Sequence, residues 1–242
     1  MERKDFLKNG IAALGSTFIA PLFIACSKDT ATTTDAITSS LSSATTSGTC
    51  TVSPTETAGP FPTKTPSSLV SSNIVSDRSG VPIAIKITIN NNNNNCAALA
   101  GAIVDIWHCD AAGNYSEYGG GGMQSTNYTS VHFLRGRQTT NANGLVTFTS
   151  IFPGWYSGRA PHIHVHVYSA SGSSLMITQI AFPTDICNTV YTTANDYKSR
   201  GTQDTSNASD NVFSDSLAHE LATVSGTVAA GYTLTHLVTV AA

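Results

Sequence analysis

The segment PGWYSGRAPHIHVH, residues 153–166, places one tyrosine, one arginine and three histidines close together. Its second half alternates between histidine and aliphatic residues, which predicts a half-buried β-strand. Successive side chains of a strand point to opposite faces, so His162, His164 and His166 share one face. Residues two positions apart in a strand are separated by roughly 6.8 Å. Two imidazoles at this spacing can converge on one metal ion.

The first half of the segment predicts a bent loop, because it contains Gly154, Gly158 and Pro161. Such a loop can fold Tyr156 back over the histidine face. A second tyrosine, Tyr115, follows another predicted strand in a turn-rich stretch. A phenol becomes a good ligand only when a strongly charged cation removes its proton. Phenolate oxygen combined with imidazole nitrogen suits a ferric ion, whereas zinc more commonly takes cysteine or carboxylate.

The remaining sequence predicts one all-β domain at residues 50–242. The chain of 242 residues is 11% charged and 40% hydrophobic, and its length suits a single catalytic-size domain. Many short alternating runs, separated by turn residues and with little helical periodicity, predict a β-sandwich with long irregular loops. Without residues 1–25, nine bases oppose 13 acids, a net charge of −4. This acidic balance argues against a nucleic-acid partner.

The predicted elements share clear turn signals at their ends. The asparagine run at 90–95 is interpreted as a solvated hairpin loop without further function, and the turn at 141–144 as the centre of a second hairpin. The predicted strands are 83–89, 99–107, 133–140, 145–149, 162–168, 175–182 and 232–239. One short helix is predicted at 215–224.

The N-terminus resembles an export signal. Residues 1–8 are charged, and the apolar run that follows is too short for an ordinary membrane span. The run ends LFIAC at residues 22–26, which resembles the bacterial lipoprotein processing box. We therefore predict a signal peptide at 1–25, a lipidated Cys26 and a flexible Ser/Thr-rich linker at 26–49. The alternative is an uncleaved anchor helix. Both interpretations place the domain outside the cytoplasm, attached to a membrane.

Four further cysteines lie in the predicted domain: Cys50, Cys96, Cys109 and Cys187. An even number of cysteines in an exported domain predicts disulfides. Three pairings are compatible with the sequence, and no Cys-x-x-Cys spacing indicates a thiolate metal site.

Several separated segments together resemble the intradiol ring-cleavage dioxygenases, the family that includes protocatechuate 3,4-dioxygenase and catechol 1,2-dioxygenase. These segments are TAGPF at 57–61, VDIWHCDAAGNYS at 104–116, FPGWY at 152–156 and GRAPHIH at 158–164. The stretch RGTQDTSNASDNVF at 200–213 is similar to the exported, single-domain bacterial branch of that family. The resemblance covers the chain from about residue 50 to its end.

The resemblance implies a non-haem Fe(III) ion held by Tyr115, Tyr156, His162 and His164, with Tyr156 as the ligand that leaves when substrate arrives. It also implies that Arg159 lies beside the substrate ring and that Gln179 lines the pocket. The implied reaction cleaves a catechol-type aromatic diol with O2 to a muconate-type diacid. An oligomer is compatible with the sequence.

Two other functions are compatible with the same residues. One is an exported, non-catalytic lipoprotein that binds aromatic or sugar ligands and holds a structural metal. The other is a copper oxidase, since copper also accepts tyrosine and histidine. Arg159 could serve only as a salt-bridge partner, and His166, one step further along the strand, is expected to be packed or hydrogen-bonded.

Overall fold

The alternating isoleucines of residues 83–89 form a strand, as their period of two predicts. The structure is a computed structural model and describes residues 50–242. Two α-helices lie in this range, α1 at Thr184–Thr193 and α2 at Leu217–Glu220, together with short 3-10 turns at Pro66–Ser68 and Asn92–Asn94. The strands, numbered in chain order, are β1 Pro82–Asn91, β2 Ala97–Ala98, β3 Ile103–Trp107, β4 Arg135–Thr139, β5 Leu145–Ile151, β6 His162–Tyr168, β7 Ser174–Ala181, β8 Thr223–Thr227 and β9 Gly231–Val240.

The first sheet is built around β1, which has neighbours along both edges. It pairs antiparallel with β5 and β2 on one side and parallel with β9 on the other, and β8 lies beyond β9. One face of β1 buries Ile85, Ile87 and Ile89 completely, while Lys86 faces outward. Each fully buried isoleucine stabilises the fold by roughly 1.5–3 kcal/mol, so this face holds the sheet against its partner.

The second sheet has the order β4-β3-β6-β7, with antiparallel pairing throughout. Ile163, Val165 and Val167 of β6 are buried in the same core cluster as the isoleucines of β1. The histidines of β6 therefore lie on the other face of this sheet, away from the inter-sheet core. Two sheets packed face to face confirm the predicted all-β sandwich.

The predicted hairpin at the asparagine run is confirmed only at its base, and the one at 141–144 is wrong. The run connects β1 to the two residues of β2, which pair antiparallel with Asn90 and Asn91. The predicted return strand at 99–107 lies elsewhere, since β3 pairs with β4 and β6 in the second sheet. Likewise, β4 and β5 flank a turn yet belong to different sheets. Turn residues predict where the chain reverses, whereas the partner of a strand depends on which faces are buried together. In this sandwich, the chain crosses from one sheet to the other between β2 and β3 and again between β4 and β5.

The asparagine run is more than a solvated turn. Asn91 Oδ1 accepts a hydrogen bond from the backbone N–H of Ala242 at 3.0 Å, and Asn91 Nδ2 donates to the Ala242 carbonyl at 2.9 Å. Asn92 Nδ2 donates to the Cys50 carbonyl. These side chains join both ends of the described chain to the end of β1, which corrects the interpretation of the run as a loop without further function.

The cysteines form one disulfide among residues 50–242, between Cys50 and Cys96, with their Cα atoms 5.8 Å apart. Cys109 and Cys187 are buried free thiols, so the expectation that all four cysteines form disulfides is wrong for this pair. Burial raises the pKa of each of these two thiols. They behave as small apolar core residues rather than as reactive thiolates.

The helices differ from the prediction. The sequence analysis missed α1, whose buried residues are Cys187, Val190 and Tyr191, because one apolar stripe three turns long is a weak signal. The predicted helix at 215–224 is confirmed only over Leu217–Glu220, and its last two residues, Thr223 and Val224, belong to β8. Within residues 50–242, none of the helices has the length and apolarity to cross a membrane. The predictions for the signal peptide, Cys26 and the linker lie outside the described residues.

Candidate metal centre

Strand β6 presents two buried histidines from the same face. The Nε2 atoms of His162 and His164 are 3.2 Å apart, and the side chains are almost fully buried. Nδ1 of His162 donates a hydrogen bond to the Ala160 carbonyl at 2.6 Å. Because that proton sits on Nδ1, the neutral ring leaves the Nε2 lone pair free. The ring of His164 stacks on Trp107 of the neighbouring strand, at 4.9 Å between centroids and 3° between planes.

Tyr115 reaches the histidines from the loop that follows β3. Its Oη lies 3.3 Å from His162 Nε2, and the side chain is fully buried. The side chain of Gln124 holds the backbone of Tyr115 from both sides. Its Oε1 accepts from the Tyr115 N–H at 2.6 Å, and its Nε2 donates to the Tyr115 carbonyl at 2.8 Å. A single amide thus sets the position of this tyrosine.

Tyr156 approaches from the loop that precedes β6, as the glycines of that loop predict. Its ring centroid is 5.6 Å from that of His162 and 5.8 Å from that of Tyr115. The third histidine of the strand does not join them. His166 is hydrogen-bonded to Ser174 Oγ at 2.8 Å and to the Tyr168 hydroxyl at 2.9 Å, as expected for a non-ligand. The rings of two tyrosines and two histidines therefore lie together in one cluster.

The spacing of these donor atoms fits a single ion. Metal–ligand bonds of about 2.1 Å place neighbouring donor atoms about 3 Å apart. The separations of 3.2 Å between the two imidazole nitrogens and 3.3 Å from Tyr115 Oη to His162 Nε2 are close to this value. Within residues 50–242, no three His, Cys, Asp or Glu side chains cluster as a metal site. A metal at this point would therefore depend on the tyrosine oxygens.

Burial also controls the protonation of the four groups. It lowers the pKa of His162 to about 3 and that of His164 well below its ordinary value, so both rings are neutral ligands at pH 7. Burial raises the pKa of Tyr115 well above 10 and also raises that of Tyr156. Only a strongly charged cation would remove these phenol protons. The donor set therefore fits a trivalent ion such as Fe(III).

Arg159 lies beside the four groups and is held by two partners. Its Nε donates to Asp210 at 2.9 and 3.1 Å, and its Nη2 donates to Gln179 Oε1 at 2.7 Å. Gln179 pairs with His164 across β6 and β7 and donates through Nε2 to the Thr57 carbonyl at 2.8 Å. The salt bridge expected as an alternative role for Arg159 is present. It orients the guanidinium next to the candidate centre.

Comparison with known proteins identifies the family. A family model described as Dioxygenase matches residues 59–214, well over half of the chain. The intradiol ring-cleavage dioxygenase from Tetranychus urticae has a TM-score of 0.70 and 28% identity, over 79% of this chain and 95% of that one. This chain belongs to the intradiol ring-cleavage dioxygenase family. The resemblance to this family noted in the sequence is thereby confirmed.

Two chlorocatechol-dioxygenase comparisons extend this assignment. Chlorocatechol 1,2-dioxygenase of Rhodococcus opacus is 29% identical over 130 residues, 46% of this chain, and the aligned part spans only 42% of that protein. The structure of 3-chlorocatechol 1,2-dioxygenase from Rhodococcus opacus 1CP covers 78% of this chain and 71% of that one, with a TM-score of 0.54 and 21% identity. The second comparison shows a shared fold.

Sequence reasoning missed several residues that shape the site of this intradiol family member. Gln124 and Asp210 lie in loops with no regular spacing to the ligands, so no periodic signal marks them. Gly59 lies inside the TAGPF segment, where only the resemblance drew attention to it. Its φ of +68° and its contact with His164 explain why glycine stands there. These three residues are recognisable only once the loops are folded.

Replacing Gly59 with alanine is expected to displace a candidate ligand. A Cβ at Gly59 would lie 2.9 Å from Cε1 and 3.3 Å from Nε2 of His164, so the imidazole must move. We expect Gly59→Ala to weaken iron binding at least about tenfold, as changes around metal ligands typically do. Gly172→Ala is the matched control, since its φ is +87° and nothing lies within 4 Å of its Cβ position. Equal iron affinities, measured by chelator competition, would contradict the expected displacement.

Proposed function

We propose that this chain is a non-haem Fe(III) dioxygenase that cleaves a catechol-type aromatic diol with O2 to a cis,cis-muconate-type diacid. The observation that carries this proposal is that Tyr115 Oη and His164 Nε2 both lie within 3.3 Å of His162 Nε2, with the Tyr156 ring beside them. A structural metal site has no need for a second, partly exposed tyrosine. The four side chains are the proposed ligands.

The iron, when bound, would bind both oxygens of a deprotonated catechol and make its ring reactive towards dioxygen. Tyr156 lies in a loop and is only partly buried, so its side chain can turn away and accept a substrate hydroxyl proton at Oη. Tyr115 is fully buried and held by Gln124, so we assign it the role of the ligand that stays.

Arg159 would stabilise the negative charge that develops on the substrate oxygens. Its guanidinium is permanently cationic and almost fully buried, where a fixed charge acts strongly. Gln179 holds one Nη and so fixes the direction in which the remaining N–H groups point. During the reaction the bond between the two hydroxylated carbons breaks, and both atoms of O2 enter the diacid. No external reductant is consumed.

The same proposal includes location outside the cytoplasm, with attachment to a membrane through a lipid at Cys26. The Cys50–Cys96 disulfide supports an oxidising compartment, because disulfides of this kind persist mainly in exported proteins. Metabolic labelling with a fatty acid, in the wild type and in Cys26→Ser, tests the anchor. Equal label in both proteins would contradict it.

Oxygen uptake by iron-loaded protein tests the proposed reaction. With a panel of catechols, we expect one O2 consumed per diol, the absorption of a muconate-type product, and a burgundy protein from tyrosinate-to-iron charge transfer. Tyr156→Phe should retain iron and lower turnover about 100-fold, the usual scale of a lost proton acceptor. A colourless iron-loaded protein, or one that binds catechol without consuming O2, would support the non-catalytic binding protein instead.

A further inference from the structure

The loop that carries Tyr156 is held along its length by one other segment. We call this segment, residues 200–213, the clasp. At the start of the loop, Trp155 Nε1 donates to the Gly201 carbonyl at 3.0 Å, and the Arg200 guanidinium lies 4.3 Å above the Trp155 ring. Arg200 also donates to the Ala112 carbonyl at 2.8 Å, which fixes that end of the clasp to the rest of the domain.

Asp204 holds the two residues that directly follow Tyr156. Its Oδ2 accepts from Ser157 Oγ at 2.6 Å, and its Oδ1 accepts from the Gly158 N–H at 3.1 Å. Ser157 and Gly158 are exposed, and no other atom lies within 4 Å of the position that a Cβ on Gly158 would take. This turn therefore has little packing of its own. The Asp204 carboxylate is its main restraint.

Asp210 holds the far end of the same loop. In addition to its ion pair with Arg159, it accepts from the Ala160 N–H at 2.6 Å and from the Val212 N–H at 2.8 Å. The clasp thus contacts the side chain of Trp155 before Tyr156 and the backbone of Gly158 and Ala160 after it. Among the described residues, no clasp atom is hydrogen-bonded to the Tyr156 hydroxyl, so the clasp restrains the loop around Tyr156 and not the phenol itself.

We propose that Asp204 is a positioning residue, which fixes the backbone at Ser157 and Gly158 so that Tyr156 moves as a side chain on a stationary loop. The catalytic part of this inference rests on the proposed function. A stationary backbone keeps the phenol within reach of the centre, and misplacement by about 1 Å can cost about 100-fold in rate. Rotation of one side chain is also a smaller conformational change than opening of a loop.

The test compares Asp204→Ala, Asp204→Asn and a charge-matched control, Asp196→Ala. Asp204 and Asp196 are both exposed, so folding is expected to survive. An asparagine can still accept from Gly158 through Oδ1 and donate to Ser157 Oγ through its amide, so it keeps both contacts. Amide hydrogen exchange of the peptide covering 153–161 is measured on metal-free protein, with a β6 peptide as the reference for global stability.

In Asp204→Ala, exchange of the loop peptide should be about tenfold faster, the effect of losing hydrogen bonds to a charged group. Exchange in β6 should not change. In the iron-loaded protein, kcat should fall about tenfold with less than a twofold change in KM. Asp204→Asn and Asp196→Ala should resemble the wild type in both measurements. A role limited to stability would not produce this split between kcat and KM, or its rescue by asparagine.

The two proposals fail in different ways. If amide exchange of the loop peptide is unchanged in Asp204→Ala, the inference that the clasp restrains this loop is wrong, whatever the activity. Faster exchange with an unchanged kcat overturns the positioning role of Asp204 while leaving its structural contact intact. If wild-type protein consumes no O2 with any catechol, the proposed function fails, and hydrogen exchange still decides whether Asp204 restrains the loop.

Discussion

His162→Ala is expected to lose iron and turnover together. In the wild type, Nδ1 of His162 is bound to the Ala160 carbonyl, and Nε2 lies within 3.3 Å of both Tyr115 Oη and His164 Nε2. Alanine removes the atom that lies closest to both other donors. Loss of a hydrogen-bond partner of a metal ligand typically lowers metal affinity by about 10–100-fold. Because His162 is itself a proposed ligand, we expect its replacement to lower iron affinity more than about 100-fold. Metal analysis and visible absorption measure this directly.

The matched control for this variant is His166→Ala. His166 lies on the same strand and the same face, four residues further on, and its contacts are with Ser174 and Tyr168. It should keep iron, colour and turnover. Circular dichroism establishes that both variants are folded, and His162→Gln replaces the alanine variant if that one does not fold. Iron content and activity equal to those of His166→Ala would end the assignment of His162 as a ligand.

Asp210→Ala is expected to be the most destabilising substitution near the site. Asp210 is fully buried, and its carboxylate accepts hydrogen bonds from Arg159, Ala160 and Val212. Its removal leaves two backbone N–H groups without a partner and the buried Arg159 guanidinium without its counter-ion, with only the Gln179 contact remaining. Breaking one side of a buried ion pair typically costs about 3–5 kcal/mol. In a domain of this size, that loss lowers Tm by about 10 °C.

Asp77→Ala provides the comparison for a surface ion pair. The Arg78–Asp77 contact is short, at 2.6 Å, but the Asp77 side chain is 62% exposed and solvent screens the pair, so its loss should leave Tm nearly unchanged. Calorimetry of the two variants measures the difference. Equal Tm values would mean that the Asp210 pair contributes no more than a solvent-screened contact.

Strand β6, which carries the two histidines of the candidate centre, could be predicted because its alternating pattern is local in the sequence. A period of two across residues 162–168 places His162 and His164 on one face, and β6 confirms this. The bent loop before it was also visible from its glycines and Pro161. What periodicity could not supply is the second loop. Tyr115 lies 47 residues before His162 in the chain, and only the resemblance to a family linked the two before the structure placed them together.

The pairing of strands was less predictable for a related physical reason. The turns after β1 and after β4 are correctly located by their residues. The first returns only the two residues of β2 to the same sheet, and the second forms no hairpin. A turn is encoded by a few residues, whereas sheet membership depends on which apolar faces bury each other at long range. The same reason explains why the asparagine run was interpreted as a simple loop. Its partners, Cys50 and Ala242, lie at the two ends of the described chain.

Local sequence patterns were thus enough to predict the all-β class, the strand that carries two imidazoles on one face, and the tyrosine of the loop that folds over them. The folded molecule added the contacts between distant loops: the Gln124 amide on Tyr115, the Asp210 carboxylate on Arg159 and the clasp along the Tyr156 loop. Such contacts have no period and no fixed spacing in sequence. They arise because burial of the two sheets brings several loops to one end of the sandwich, where their polar groups must find partners.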